Sequence, residues 1–207
     1  MNLPIVELCV PNASNYDIAN TIFGDHPGFI VKNTGIVEAE ARVIVSPGNS
    51  FGEMNGGVDG TINTHLSAYS TYHRMDWYVQ SSINERFAGE LPVGSHVIIS
   101  VIDHPKREWL IYTPTMRVAE EVSTGINAYL AFRSALLGAI DMNKIDKSDK
   151  KDFELIACPL FCTGAGSMNI HTACKQMREA YDSIKYGSLI KKDWQVYHTH
   201  HRMLKAL

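Results

Sequence analysis

Apolar positions along this chain form two alternating patterns, compact runs and stretches of helical spacing. The compact runs predict strands at residues 4–10, 29–31, 42–45, 97–102, 109–112, 155–161 and 194–197. Helical spacing predicts a helix after a cap at 12–14, one along Ile62, Leu66, Tyr69, His73 and Trp77 to Phe87, and others at 122–140 and 170–184.

Strands that alternate with helices indicate an α/β fold with βαβ units and a largely parallel sheet. Pro114 is expected to close the strand at 109–112. Residues 143–152 are charged and predict a solvated loop, which is too short to separate two domains. The sequence therefore predicts a single domain over residues 1–207.

Composition narrows the possible partners and compartments. A formal net charge of -3 gives no broad basic field, so nucleic acid is not an expected partner. No secretory signal and no run of about 18 apolar residues is visible, so we expect a cytoplasmic protein that does not span a membrane. Cys158 and Cys162 flank a proline in an apolar run, which favours buried, reduced thiols over a zinc site.

Two glycine-bearing loops follow predicted strands, and they are the strongest functional signal. The first covers residues 46–60 and the second covers 162–167, and each leads into a helix. In parallel sheets ligands bind beyond the carboxyl ends of strands, and glycine loops at helix N-termini present N–H groups to anions. Neither loop has the lysine of a nucleotide triphosphatase, and the first strand lacks a dinucleotide-binding glycine motif. The pair of loops predicts a site for a diphosphate. We expect neither a cofactor nor a metal.

Residues 43–50 are followed by Asn-Gly-Gly-Val-Asp-Gly at 55–60, and the second loop lies within Cys-Pro-Leu-Phe-Cys-Thr-Gly-Ala-Gly-Ser at 158–167. The first motif resembles the first loop of the macro domain family, and the second motif resembles that family's second phosphate-binding loop. Residues 112–116 are similar to a macro-like branch that includes bacterial and phage proteins. The resemblance covers residues 4–184. It implies a three-layer α/β/α fold with a central mixed, largely parallel sheet, and binding of ADP-ribose.

The resemblance also implies roles for individual residues. Asn49 takes the place of the asparagine that contacts the distal ribose, and Asp59 takes that of the aspartate that positions water in hydrolytic members. The sequence departs from the family at two positions. Ser46 stands where the family has asparagine, and Gly35 stands where many members have the aspartate that binds adenine. Asn33 or backbone groups are the alternatives for binding adenine. The implied ligand contacts are Ser46, Gly48, Ser50, Gly56, Gly57, Val58, Asn33, Ile36, Phe161, Thr163, Gly164, Ala165, Gly166 and Ser167.

Several candidates have a simpler interpretation. Asp59 could cap a helix that begins at Gly60, and Asn49 could satisfy the backbone of its own turn. His65 could approach the site as an acid or base, or could simply pack on its helix. Phe51 could stack on the ligand or cover the core, and so could Phe161. His73 fits the apolar stripe, Lys191 and Lys192 fit a charged surface, and His198, His200 and His201 fit a solvated tail.

Two functions from different classes are consistent with this pattern. The first is hydrolysis of an ADP-ribosyl ester or of ADP-ribose 1″-phosphate, with Asp59, Asn49 and His65 as the catalytic candidates. The second is a non-catalytic reader of ADP-ribose, of cyclic ADP-ribose or of an ADP-ribosylated protein. An interaction domain that has lost the ligand is a third alternative.

Overall fold

The structure is a computed structural model that describes residues 3–101, 103–145 and 152–207. Its strands form one six-stranded sheet in the order β2-β1-β6-β3-β5-β4. The strands are β1 (Ile5–Cys9), β2 (Phe29–Lys32), β3 (Val43–Asn49), β4 (Val97–Ser100), β5 (Trp109–Met116) and β6 (Leu155–Pro159). All neighbouring pairs are parallel except β4 with β5. The predicted mixed, largely parallel sheet is therefore confirmed.

Helices cover both faces of this sheet. They are α1 (Ala13–Phe23), α2 (Gly57–Ser67), α3 (Met75–Phe87), α4 (Asn127–Ile145), α5 (Ile170–Lys185) and α6 (Trp194–Ala206), with single 3-10 turns at Ile36–Glu38 and Asp152–Glu154. None of the helices in the described ranges is long and apolar enough to cross a membrane.

Alternate residues of each strand face two separate cores. In β3, Val43 and Val45 pack with α1, α4 and α5, whereas Ile44 packs with α2 and α3. In β1, Leu8 belongs to the first core and Cys9 to the second. This two-residue period, with helices on either side, produces the three α/β/α layers that the resemblance implies.

Two strands extend further than their apolar runs predict. β3 continues through Ser46 to Asn49, and β5 continues through Pro114 to Met116. Pro114 is opposite Gly48, next to an irregularity in the register between β3 and β5. The ladder is interrupted there, so a residue without an N–H group is tolerated, and the prediction that Pro114 ends the strand is wrong.

The long helix predicted from Ile62 to Phe87 is two helices. α2 ends at Ser67, and the Ser67 hydroxyl accepts a hydrogen bond of 2.8 Å from the Met75 N–H at the start of α3. Between them His73 is exposed and stacks on Trp77 at a centroid distance of 3.9 Å. The prediction of His73 as a core residue is therefore wrong, because helical spacing alone does not show where a helix is interrupted.

The C-terminal segment is a helix instead of the predicted strand at 194–197. The Asp193 side chain caps α6 by accepting from the Val196 N–H at 3.0 Å. Leu204 is buried and His200 contacts the Glu179 carboxylate at 3.0 Å, so the segment packs on the fold through these residues. His198 and His201 are exposed, as the sequence predicts. Four residues are too few to distinguish a strand from a helix by periodicity.

Two expected element boundaries differ from those in the structure. β6 ends at Pro159 and not at residue 161. Residues 143–145 belong to α4, and 146–151 lie outside the described residues. All four cysteines are buried and free, and no group of three metal-binding side chains occurs in the part of the chain that the structure describes.

Candidate functional site

The two glycine loops face each other across one cleft at the carboxyl ends of the central strands. Residues at and after the end of β3 form one wall, residues that follow β6 form the other, and the end of β5, the neighbour of β3 on its other side, also lines the cleft. The lining residues are Pro47, Gly48, Asn49, Glu53, Asn55, Gly56, Gly57, Val58, Asp59, Thr115, Met116, Ala119, Leu160, Cys162, Gly164, Ala165 and Gly166.

Glycines in this cleft fall into two classes according to their surroundings. A Cβ at Gly48 would lie 2.0 Å from the Tyr112 hydroxyl, and one at Gly166 would lie 2.7 Å from the Cys162 carbonyl oxygen, so packing requires these glycines. A Cβ at Gly56 or Gly164 would meet no protein atom within 4 Å, and neither residue has a positive φ. Nothing in the protein requires glycine at Gly56 or Gly164. Bare backbone at these positions leaves room for a ligand to approach the main chain.

The first wall ends at the N-terminus of α2, which suits an anion. The N-cap residue Gly56 provides no side-chain hydrogen bond, and Gly57 has a φ of +55°. An uncapped helix N-terminus presents unpaired N–H groups and the positive end of the helix dipole. The opposite wall is held by its own hydrogen bonds, from the Ser167 N–H to the Gly164 carbonyl at 2.9 Å and from the Met168 N–H to the Cys162 carbonyl at 3.0 Å.

Asn49 is positioned by a buried tyrosine. The Tyr112 hydroxyl accepts from the Asn49 N–H at 2.9 Å and donates to the Asn49 carbonyl oxygen at 2.8 Å. The Asn49 side-chain oxygen accepts from the Phe51 N–H at 3.0 Å, and its NH₂ group donates to the Glu53 carbonyl at 3.4 Å. The interpretation of Asn49 as a turn residue is thus observed, and its contact with a ribose stays a prediction.

Asp59 lies inside α2, and the prediction that it caps a helix beginning at Gly60 is wrong. The helix begins at Gly57, which places Asp59 in its first turn, where it is only 9% exposed. Its carboxylate accepts a short hydrogen bond from the Ser46 hydroxyl. Burial raises the pKa of Asp59 to about 6, and the Ser46 hydrogen bond opposes that rise. A carboxylate with this pKa is mostly ionised at pH 7 and is a stronger base than an exposed one.

His65 is outside the cleft, so the structure does not bring it to the predicted position. It lines a neighbouring shallow groove on α2, and its Nε2 lies 3.1 Å from the Nε2 of His104. Because the His104 Nδ1 accepts from the Arg107 N–H at 2.8 Å, its Nε2 carries the proton and donates to His65. Burial, and then the Arg107 charge, lowers the pKa of His65.

Other predicted contacts divide between the core and the margin of the cleft. The Phe161 and Ile36 side chains are buried in the two cores, and Phe161 packs against Phe132 at a centroid distance of 5.6 Å, so neither side chain lines the cleft. The Asn33 side chain donates to the Val10 carbonyl at 2.8 Å. The predicted residues that do not line the cleft are Ser46, Ser50, Asn33, Ile36, Phe161, Thr163, Ser167 and His65.

Sequence patterns missed several residues that do line the cleft. Glu53 contributes a second carboxylate, and Thr115 and Met116 reach the cleft because β5 lies beside β3. Phe51 is half-buried with the Arg117 guanidinium 5.1 Å from its ring centroid. Glu53 could have been predicted from the sequence, because it lies within the first glycine loop. Thr115 and Met116 could not, because they line the cleft only as a result of the strand order, which the sequence does not show.

Comparison with known proteins adds a relative and a set of similar structures. No protein-family profile matches the chain. An uncharacterised protein of Aquifex aeolicus (strain VF5) is 30% identical over 153 residues, which are 72% of this chain and 78% of that protein. This similarity places the two chains in one family.

Similar solved structures are macrodomains. The macrodomain of Mycobacterium tuberculosis DarG has a TM-score of 0.55 at 14% identity, over 72% of this chain and 86% of its own. A variant of the Oceanobacillus iheyensis macrodomain, solved with ADPR, has a TM-score of 0.54 at 23% identity, over 71% of this chain and 72% of its own. At these identities the likeness concerns the fold.

Proposed function

This chain has the macrodomain fold, and we propose that its cleft binds ADP-ribose or a close derivative. One observation carries the proposal. Gly56 and Gly164 lie on opposite walls of the cleft, and the protein itself leaves the space above both backbones empty. A diphosphate between the walls would accept hydrogen bonds from both loops, and the uncapped N-terminus of α2 would face its charge.

The proposed reaction is hydrolysis at the distal ribose of the ligand. Asp59 supplies the base, because its carboxylate borders the cleft, is mostly ionised at neutral pH and has a raised pKa. Ser46 holds one carboxylate oxygen and leaves the other to orient a water molecule. Asn49, held through its backbone by Tyr112, contacts the ribose. An ADP-ribosyl ester and ADP-ribose 1″-phosphate are the two candidate substrates.

A second candidate, a reader that binds without hydrolysis, is favoured by the surroundings of Asp59. The side chain is 9% exposed and already bonded to Ser46, which restricts its access to water. In a reader, Asp59 would be dispensable for affinity.

The test separates binding from hydrolysis. Calorimetry with ADP-ribose measures binding by the unmodified protein and by Asp59→Asn, and chromatography follows release of ADP-ribose from an ADP-ribosylated protein. We expect both proteins to bind and only the unmodified protein to release ADP-ribose. Release at equal rates by the two proteins excludes Asp59 as the base, and absence of release from both supports the reader. Absence of heat from the unmodified protein overturns the proposed function.

A further inference from the structure

Charge is unevenly distributed around the cleft. Among the described residues that line the cleft, Glu53 and Asp59 are the only acidic ones, and none is a lysine, arginine or histidine. The N–H donors that favour an anion belong to the glycine loops. The cleft therefore combines main-chain donors for a diphosphate with acidic side chains.

Glu53 and Asp59 line the same cleft as Asn49, and the backbone of Glu53 contacts the Asn49 side chain. The Glu53 N–H lies 3.4 Å from the Asn49 side-chain oxygen, and the Asn49 NH₂ group contacts the Glu53 carbonyl at the same distance. Burial raises the pKa of Tyr112, and the charges of Asp59 and Glu53 raise it further. Since the Tyr112 hydroxyl bonds the Asn49 backbone, both charges act on the surroundings of Asn49.

We propose that Glu53 is a specificity-determining residue that, with Asp59, excludes ligands bearing a phosphate on the distal ribose and favours those with an uncharged or cationic group there. The proposal rests on the proposed function, because it assumes that the distal ribose lies at Asn49. It selects the ADP-ribosyl ester, whose linkage is uncharged, over ADP-ribose 1″-phosphate.

The physical reason is the absence of a compensating partner. The main-chain donors of the two loops are matched by the diphosphate, and a further phosphate would need additional donors or a cation. Arg117 lies near this end, beside Phe51, but it makes a bidentate ion pair with Glu90 at 2.8 and 3.0 Å. Like charges at close range repel each other, whereas an uncharged group avoids that cost.

Calorimetry with ADP-ribose and with ADP-ribose 1″-phosphate, each checked for integrity after the titration, tests the proposal. We expect the phosphorylated ligand to bind about tenfold more weakly, with the ratio falling at high salt. Glu53→Gln should bring the ratio of the two affinities toward one. Glu85→Gln on the exposed surface of α3 is the matched control and should leave the ratio unchanged.

The outcomes separate the two proposals. Equal affinities for the two ligands in the unmodified protein, or a ratio that Glu53→Gln leaves unchanged, overturns the role of Glu53 and leaves the proposed function in place. If ADP-ribose itself produces no heat, the proposed function is wrong and the selectivity fails with it.

Discussion

Replacing Asp59 by asparagine should stabilise the protein, and the gain should depend on pH. Burial raises the pKa of Asp59 from an ordinary 3.8 to about 6, so the folded state binds the proton more tightly than the unfolded state. The stability contributed by the protonated carboxyl is fully present below about pH 4 and is lost as the pH rises through about 6. At about 1.4 kcal/mol per pH unit, the loss over this window is about 3 kcal/mol.

The substituted asparagine side chain would carry no charge and could still accept the Ser46 hydrogen bond. Since its NH₂ group would be buried, we expect a net gain of about 2 kcal/mol in the free energy of unfolding at pH 7.5, shrinking toward zero near pH 4. Urea titrations followed by tryptophan fluorescence at pH 7.5, 6.0 and 4.5 measure this difference. Asp17→Asn at an exposed position of α1 is the matched control and should change the free energy of unfolding by less than about 0.5 kcal/mol.

Two results would refute this reasoning. Asp59→Asn could be as stable as the unmodified protein at pH 7.5, or its gain could be the same at every pH. Either outcome would mean that the folded protein does not retain a buried charge at this position. A confirmed gain together with lost hydrolysis would identify Asp59 as a residue that reduces stability in favour of activity.

Three further predictions concern the walls of the cleft and the opposite part of the fold. Gly164→Ala should leave the melting temperature unchanged or higher but weaken ADP-ribose binding about tenfold. Gly166→Ala should lower the melting temperature, because its Cβ would meet the Cys162 carbonyl. If the two variants change the melting temperature and the ADP-ribose affinity equally, the ligand does not contact bare backbone at Gly164. Tyr112→Phe should cost about 1–3 kcal/mol of stability and weaken ADP-ribose binding, because the Asn49 N–H and carbonyl lose their hydrogen-bond partner. If calorimetry shows an unchanged affinity for ADP-ribose, Tyr112 does not position Asn49 for the ligand. Glu7→Gln should cost about 1–3 kcal/mol at pH 7 and less in acid, as urea titrations can show. Burial raises the pKa of Glu7, but the N–H groups of residues 40 and 41 and the Lys32 amine hold it below its ordinary value of 4.5. The stability is therefore present above about pH 4.5 and is lost as the pH falls below that value.

Local sequence patterns predicted those elements whose formation depends on their own residues alone. The apolar runs predicted β1, β2, β4 and β6 to within a few residues. The signal is most continuous in the central strand β6, which is buried along almost its whole length. Strand ends and helix interruptions were less visible. β3 and β5 extend each other through their shared ladder, and the start of α3 depends on a hydroxyl from α2. The helical state of α6 likewise depends on a cap and on burial of Leu204 against a distant helix.

At the candidate site, the two glycine loops, their position after strands and the residue types that the chemistry needs can all be read from the sequence. Which of those residues share a cleft depends on how the strands pack in the folded protein. That packing placed Gly56 opposite Gly164, buried Asp59 against Ser46, turned His65 toward His104 and brought Glu53 and Thr115 into the lining. The physical reason is that a loop's composition depends on its own backbone, whereas burial, pKa and distance across a cleft depend on which strands become neighbours in the sheet.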